Sequence, residues 1–256
     1  GDATGVIDGD DSLNGSVTGG AGTDTIKIAE GEDVGTYLSL VDDHDNKDWV
    51  KNAVGFENAI GNDRANNLEG DYDGSATDNT LIGNGGAGVL RGQAGDDTLV
   101  VDDEDHLYDN FEIDGGSGND TLKAQDGEGD IQYGWIELSE VASVENYVGN
   151  AGTNEVNGDG GDNMLVGGAG DDGLHGKGGD DTIVIDRDDR LDGHVSGGAG
   201  TDTVKIAEGE DLGHGLEAQH TDAHDVAYDD VMGVENLIGN GGDNHLFGSN
   251  DKANDN

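Results

Sequence analysis

Between residues 149 and 184 an amide or a carboxylate recurs every nine residues, as Asn154, Asn163, Asp172 and Asp181. Each stands five residues after a glycine (Gly149, Gly158, Gly167, Gly176) and two before an aliphatic residue (Val156, Leu165, Leu174, Ile183). Oxygens in such a setting are hard ligands. Glycine-rich turns bring backbone carbonyls close to a bound ion. Carbonyls and carboxylates together make an irregular all-oxygen shell, which suits Ca²⁺ better than Mg²⁺ with its octahedral demand. Asn can ligate through its amide oxygen but brings no charge, so its sites should be weaker.

The element that must position these oxygens is short. The four nonamers read GNAGTNEVN, GDGGDNMLV, GGAGDDGLH and GKGGDDTIV. The small–aliphatic–small tail predicts a strand of about three residues with one side chain facing in. The head is a turn. Two nonamers make one flattened coil, so nonamers two apart stack on the same edge and their oxygens converge. The pattern GGxGxDx(aliphatic)x resembles the RTX, or haemolysin-type, calcium-binding repeat. That resemblance implies an all-β fold, a calcium-bound parallel β-roll or β-helix solenoid, elongated and with irregular inserts.

In the RTX family the sixth-position Asp ligates calcium and backbone carbonyls of the turn complete the shell. Carried over by position, the resemblance implies Asp24, Asp97, Asp120, Asp172, Asp181 and Asp202 as ligands. Asn66, Asn79, Asn154, Asn163 and Asn244 hold the same place, and the turn glycines include Gly158, Gly160, Gly167, Gly176 and Gly178. The best-paired turns are those starting at Gly158 and Gly176, then those at Gly149 and Gly167. Gly88 holds the sixth position of one nonamer and offers no side-chain ligand. The isolated nonamers at Gly19, Gly115 and Gly197 need stacking partners that the repeat pattern does not identify. A competing role for the Asp and Asn residues is to cap their own turns.

Composition sets the condition for folding. The 256 residues include 49 Gly, no Pro and no Cys, with a formal net charge of −47. Only 32% are hydrophobic, which is the composition of a disordered chain. Strict periodicity and such charge agree if folding is conditional on bound cations: binding free energy then becomes folding free energy. The acidity argues against nucleic acid and against anionic membrane surfaces. No apolar run approaches the length of a membrane-spanning helix. Calcium sites built largely from carbonyls are weak, in the extracellular range, which points to a secreted or cell-surface protein.

A second repeat is longer. The segment at Gly1 matches that at Gly179, and GFENAIGN at Gly55 falls on GVENLIGN at Gly233 under the same 178-residue offset, with SVENYVGN at Ser143 as a third copy. Three modules follow, 1–100, 101–184 and 185–256, the last cut short. The chain begins and ends within a repeat, as expected of a piece of a longer tandem protein. Inserts between the repeats carry Trp49 and YGWIEL from Tyr133, expected to bury under the insert or else to stack on sugar rings. His214, His220 and His224 with Asp211, Asp222 and Asp225 read as a solvated loop more readily than a transition-metal site. Thr25, Thr121 and Thr203 recur too sparsely for a regular threonine array. No nucleophile elbow and no Cys support catalysis, so any catalytic domain lies outside the chain.

The leading reading is a structural calcium-binding segment of an extracellular bacterial protein of adhesin or surface-layer type, folding on Ca²⁺ after type I secretion. The alternatives are a non-catalytic RTX region attached to a secreted enzyme (protease, lipase, epimerase or peroxidase) and a carbohydrate-binding module using the inserts. Beyond calcium, the partners to consider are glycans or other cell-surface components, and self-association along the solenoid.

Overall fold

A computed structural model describes residues 1–8, 17–30, 37–40, 50–53, 55–62, 67–70, 77–84, 88–102, 112–126, 135–189, 194–210, 212, 215–218, 228–242 and 244–247. Its contacts divide the chain into two units, Gly1–Gln125 with Val141–Val144, and Asp126–Glu140 with Glu145–Asn256. Both are parallel β-solenoids.

In the first unit the strands are β1 (Thr4–Ile7), β2 (Thr25–Ile28), β3 (Tyr37–Ser39), β4 (Val50–Asn52), β5 (Asn58–Ile60), β6 (Asn67–Glu69), β7 (Thr80–Ile82), β8 (Val89–Ala94), β9 (Thr98–Val101), β10 (Glu112–Ser117) and β11 (Thr121–Ala124). They form two parallel sheets, in the orders β1-β2-β5-β7-β9-β11 and β10-β8-β6-β3-β4. The chain alternates between the sheets through the repeat run, so neighbours within a sheet are two elements apart in sequence. That is the stacking expected of nonamers i and i+2.

The second unit repeats the scheme. Its elements are β12 (Trp135–Glu137), a 3₁₀ turn (Leu138–Glu140), β13 (Asn146–Val148), β14 (Glu155–Asn157), β15 (Met164–Val166), β16 (Gly173–Gly178), β17 (Thr182–Ile185), β18 (Val195–Ala199), β19 (Thr203–Ile206), β20 (Gly215–Ala218), β21 (Tyr228–Val231), β22 (Asn236–Ile238) and β23 (Leu246–Phe247). The strands β13-β15-β17-β19-β22 line one face and β12-β14-β16-β18 another, with a small sheet β21-β20-β23.

Strands this short cannot stand alone. Each central residue points inward and stacks on its counterpart one coil away. Leu81 aligns with Leu99 and Leu99 with Leu122; Leu165 aligns with Ile183 and Ile183 with Val204. All six are completely buried. Each contributes about 1.5–3 kcal/mol of burial, but only when the neighbouring coil is in place, so stability is carried from coil to coil.

The insert around β12 buries Ile136 and Leu138. The side chains of Trp49, Tyr133 and Trp135 lie outside the described residues, as do His214, His220 and His224, Asp211, Asp222 and Asp225, and Asn66. The register corrects one expectation. Thr4, Thr25, Thr80, Thr98 and Thr121 fall in one row across β1, β2, β7, β9 and β11, broken only by Asn58 on β5. Threonines remote in sequence become neighbours because every coil presents the same position.

Candidate functional site

The six aspartates occupy equivalent places. All are buried, with at most 1% of their surface exposed. In each, Oδ1 accepts a backbone N–H from the preceding coil: Ala3 to Asp24 (2.6 Å), Asn79 to Asp97 (2.7 Å), Asp97 to Asp120 (2.8 Å), Asn154 to Asp172 (2.7 Å), Asn163 to Asp181 (2.8 Å) and Asp181 to Asp202 (2.8 Å). The carboxylates therefore cap the preceding coil rather than their own turn.

The other oxygen carries the chemistry. Oδ2 of Asp24, Asp97, Asp172, Asp181 and Asp202 is buried without a hydrogen-bond partner among the described residues. A buried anionic oxygen left in that state is costly. Burial pushes the carboxyls of Asp97, Asp172 and Asp181 up to about 6, against the opposing pull of the N–H groups they accept. Asp202 is raised for the same leading reason. A row of such oxygens is what a cation would satisfy.

The glycines complete the cradle. A Cβ at Gly176 would overlap both the Asp181 carboxylate and the Gly197 carbonyl oxygen. The first-position glycine is thus required by close approach. The fourth-position Gly179 is required twice, by a φ of 104° and by the Gly161 carbonyl beside it. Gly158 meets Asn163 Oδ1 and the Gly176 carbonyl, and Gly167 the Asp172 carboxylate, whereas a Cβ at Gly160 meets nothing and at Gly178 only ordinary contacts. Gly160 and Gly178 are therefore not needed for space.

The asparagines behave differently from the aspartates. Asn154 accepts from the Tyr147 hydroxyl at 2.7 Å and donates to the Gly152 carbonyl at 2.6 Å. Asn163 Oδ1 accepts from Asp159 N–H, and its Nδ2 donates to the Glu145 carbonyl. Asn79 donates to the Glu57 carbonyl. Asn244 donates to Asn240 and Gly242 within its own turn. Amides satisfy themselves with protein partners, while carboxylates, lacking donors, leave oxygen over.

Two sets of residues escaped the repeat pattern. The first is the fifth position, read there only as variable. Asp78 Oδ1 accepts from Asp96 N–H, Asp96 from Asn119, Asp162 from Asp180, Asp180 from Thr201 and Asp2 from Thr23, at 2.7–3.1 Å. These bonds run opposite to those of the sixth position, so each such coil interface is latched in both directions. The adjacent acidic pairs, as in Asp96–Asp97 and Asp180–Asp181, were the available signal. The second is Asp189, outside any nonamer, whose Oδ1 accepts from Asp172 N–H at 3.2 Å. Burial, with the charges of Asp172 and Asp186 nearby, pushes its carboxyl up to about 8.

A shallow groove of about 650 Å³ on the outer face of β12-β14-β16-β18 is lined by Glu137, Asn157, His175, Lys177, Ser196 and Gly198. Glu137 accepts from Asn157 and lies 3.8 Å from Lys177. Burial, with Lys177 next, lowers the His175 pKa.

Among the described residues no three acidic or imidazole side chains converge on a point. A cation here must take much of its shell from carbonyls, and the turns bring them to the carboxylates of Asp24, Asp97, Asp181 and Asp202. Parallel coils with such turns define a calcium-binding β-roll. The family comparison agrees: the RTX calcium-binding nonapeptide repeat matches residues 73–105, 112–128, 148–183 and 232–252. The chain carries that repeat in four copies, and repeats of this family bind calcium and are structural rather than catalytic. No curated protein matches the chain. No described helix is long and apolar enough to cross a membrane.

Proposed function

We propose that this chain is a calcium-dependent structural segment of a large extracellular bacterial protein, of adhesin or surface-layer type, which folds on meeting external calcium after secretion. The observation that carries the reading is the row of buried, unpartnered Asp Oδ2 atoms in a chain of net charge −47. Asp24, Asp97, Asp120, Asp172, Asp181 and Asp202 are its ligands, helped by carbonyls of first-position glycines. The aspartates without cation oppose folding; with cation they bind coil to coil. The 178-residue duplication favours a tandem spacer of three modules, 1–100, 101–184 and 185–256, over a site of single use. Type I secretion of RTX proteins supports the location outside the cell.

Circular dichroism in chelator and then in calcium at about 0.1–1 mM, the range of extracellular modules, tests it. The expected result is a largely unfolded chain that gains strand signal with calcium. A chain fully folded in chelator and indifferent to calcium would refute the mechanism.

A further inference from the structure

The nonamers at Gly19 and Gly197 stand alone in sequence, yet their aspartates are buried and orphaned like the others. Their stacking partners lie 33 residues on, in the GFENAIGN and GVENLIGN segments. β2 pairs with β5 so that Thr25 faces Asn58, and β19 with β22 so that Thr203 faces Asn236. This sets Glu57 against Asp24 and Glu235 against Asp202. The backbone N–H of Asp24 donates to Glu57 Oε2 at 2.7 Å, and that of Asp202 to Glu235 Oε2 at 2.8 Å. Glutamate thus takes the place that a sixth-position aspartate takes elsewhere, one methylene longer.

The carbonyl is replaced as well. A Cβ at Gly19 would overlap the Gly55 carbonyl oxygen and the Asp24 carboxylate; one at Gly197 would overlap the Gly233 carbonyl oxygen and the Asp202 carboxylate. Gly55 and Gly233 sit in the left-handed region, at φ 66° and 58°. A third copy has Ser143 at φ 51°, with its carbonyl at the same spot over Gly115. A left-handed non-glycine residue costs energy, and here it holds the geometry of its two glycine counterparts. Farther along, Asn62 Nδ2 donates to the Ala29 carbonyl (2.7 Å) and Asn240 Nδ2 to the Ala207 carbonyl (2.6 Å). The motif is therefore built the same way in both units.

We infer that the G-x-E-N segments complete a calcium site at the junction where the chain returns from an insert to the repeats, inside modules 1–100 and 185–256, one ion held by Asp24, Glu57 and the Gly55 carbonyl and another by Asp202, Glu235 and the Gly233 carbonyl. Asp24 and Asp202 hold the sixth position of a nonamer, whereas Glu57 and Glu235 do not. Each site has two carboxylates and an Asp Oδ2 that no described protein group satisfies. More ligand charge gives tighter calcium binding, so the junctions fill ahead of those coils that pair an Asp with an Asn. This rests on the reading that the chain binds calcium.

The test is calcium stoichiometry by equilibrium dialysis, with circular dichroism at saturating calcium, on the whole chain carrying Glu57→Gln, Glu235→Gln or both. Glutamine keeps an oxygen to accept the Asp N–H, so the fold at saturating calcium is expected to persist. Bound calcium falls by one ion per substituted junction, or the tightest sites weaken by roughly tenfold, the scale of a lost ligand or its support. Unchanged stoichiometry and affinity in the double variant, while Asp97→Asn weakens binding, would overturn the junction sites and leave the nonamer sites standing. No calcium bound by the unsubstituted chain would overturn both. If the double variant does not fold, each single variant is read against the same two outcomes.

Discussion

The two edges of the second unit use carboxylates differently. On one, Asn163 donates to Asp181, Asp181 to Asp202 and Asp202 to Glu235, with one carboxylate acceptor per coil in this chain of bonds. On the other, Asn154 donates to Asp172 and Asp172 to Asp189, whose second oxygen accepts from Asp186 N–H at 2.6 Å. Asp186 in turn accepts from Asp188. The first column spaces its charges by the repeat. The second ends in a local turn where Asp172, Asp186 and Asp189 crowd together. Crowded, buried carboxylates cannot all ionise, so one keeps a proton until a cation arrives. Burial first, and then the charges of Asp172 and Asp186, raise Asp189 to about 8, while Asp172 and Asp181 reach about 6.

The largest expected effect breaks the regular column sterically. Gly176→Ala places a methyl on the Asp181 carboxylate and the Gly197 carbonyl, both held by neighbouring coils. Overpacking of this kind costs about 1–3 kcal/mol, and here it also intrudes on the proposed cation position. Gly160→Ala enters open space and should be tolerated. Calcium titrations followed by circular dichroism compare the two; equal effects would show that first-position glycines are not needed for close approach.

A charge substitution sharpens the contrast. Asp181→Asn keeps an acceptor for Asn163 N–H and removes the sixth-position carboxylate of its coil, for which that column has no counterpart of Asp189. Asp172→Asn leaves Asp189, which loses a repelling neighbour and ionises more readily. The calcium midpoint should therefore rise more for Asp181→Asn, on the order of tenfold against a few-fold. The reverse order would mean that Asp189 takes no part in binding.

Much of this was legible from residue spacing. The nine-residue period gave strands, inward aliphatics and the sixth-position carboxylates, because each coil is a local unit that repeats without change. Three things were not. The partners of Asp24 and Asp202 lie across an insert, and Glu57 and Glu235 enter the cradle only through strand register. Asp189 acts from a turn with no repeat spacing. The asparagines look equivalent to the aspartates in a pattern, yet Asn154 and Asn163 use their donor groups on protein partners, a difference of chemistry that spacing does not encode.

Acidity separates the columns next. The carboxyls of Asp97, Asp172 and Asp181 move from the ordinary 3.8 to about 6 on folding, and that of Asp189 to about 8. The folded chain then holds more protons than the unfolded one, so without metal the fold is favoured by acid and loses stability as pH rises through this window. Calcium demands the deprotonated form, so its midpoint should rise as pH falls below about 6. Circular dichroism from pH 4 to 8, with chelator and with calcium, should show opposite trends. Asp189→Asn should remove the part of the metal-free change above pH 6; an unaltered profile would assign that change elsewhere.

The smallest effect concerns the fifth position, which also distinguishes the columns. On the regular side Asp162 caps Asp180 and Asp180 caps Thr201; on the other side the first fifth-position residue is Thr153, a hydroxyl in place of a carboxylate. The Asp180 bond is exposed, so Asp180→Ala should cost about 0.5–1.5 kcal/mol, the net worth of one hydrogen bond. Removing a negative charge beside a crowded acidic edge works in the other direction: Asp162 and Asp202 lie close enough to Asp181 to raise its carboxyl. The two effects part company with calcium. At limiting calcium, relief of repulsion offsets the lost bond and stability changes little. In saturating calcium the repulsion is already neutralised, and the full loss of the latch should appear in the thermal midpoint. A loss for Asp180→Ala that is equal at limiting and at saturating calcium would show that the latch and the cation act independently.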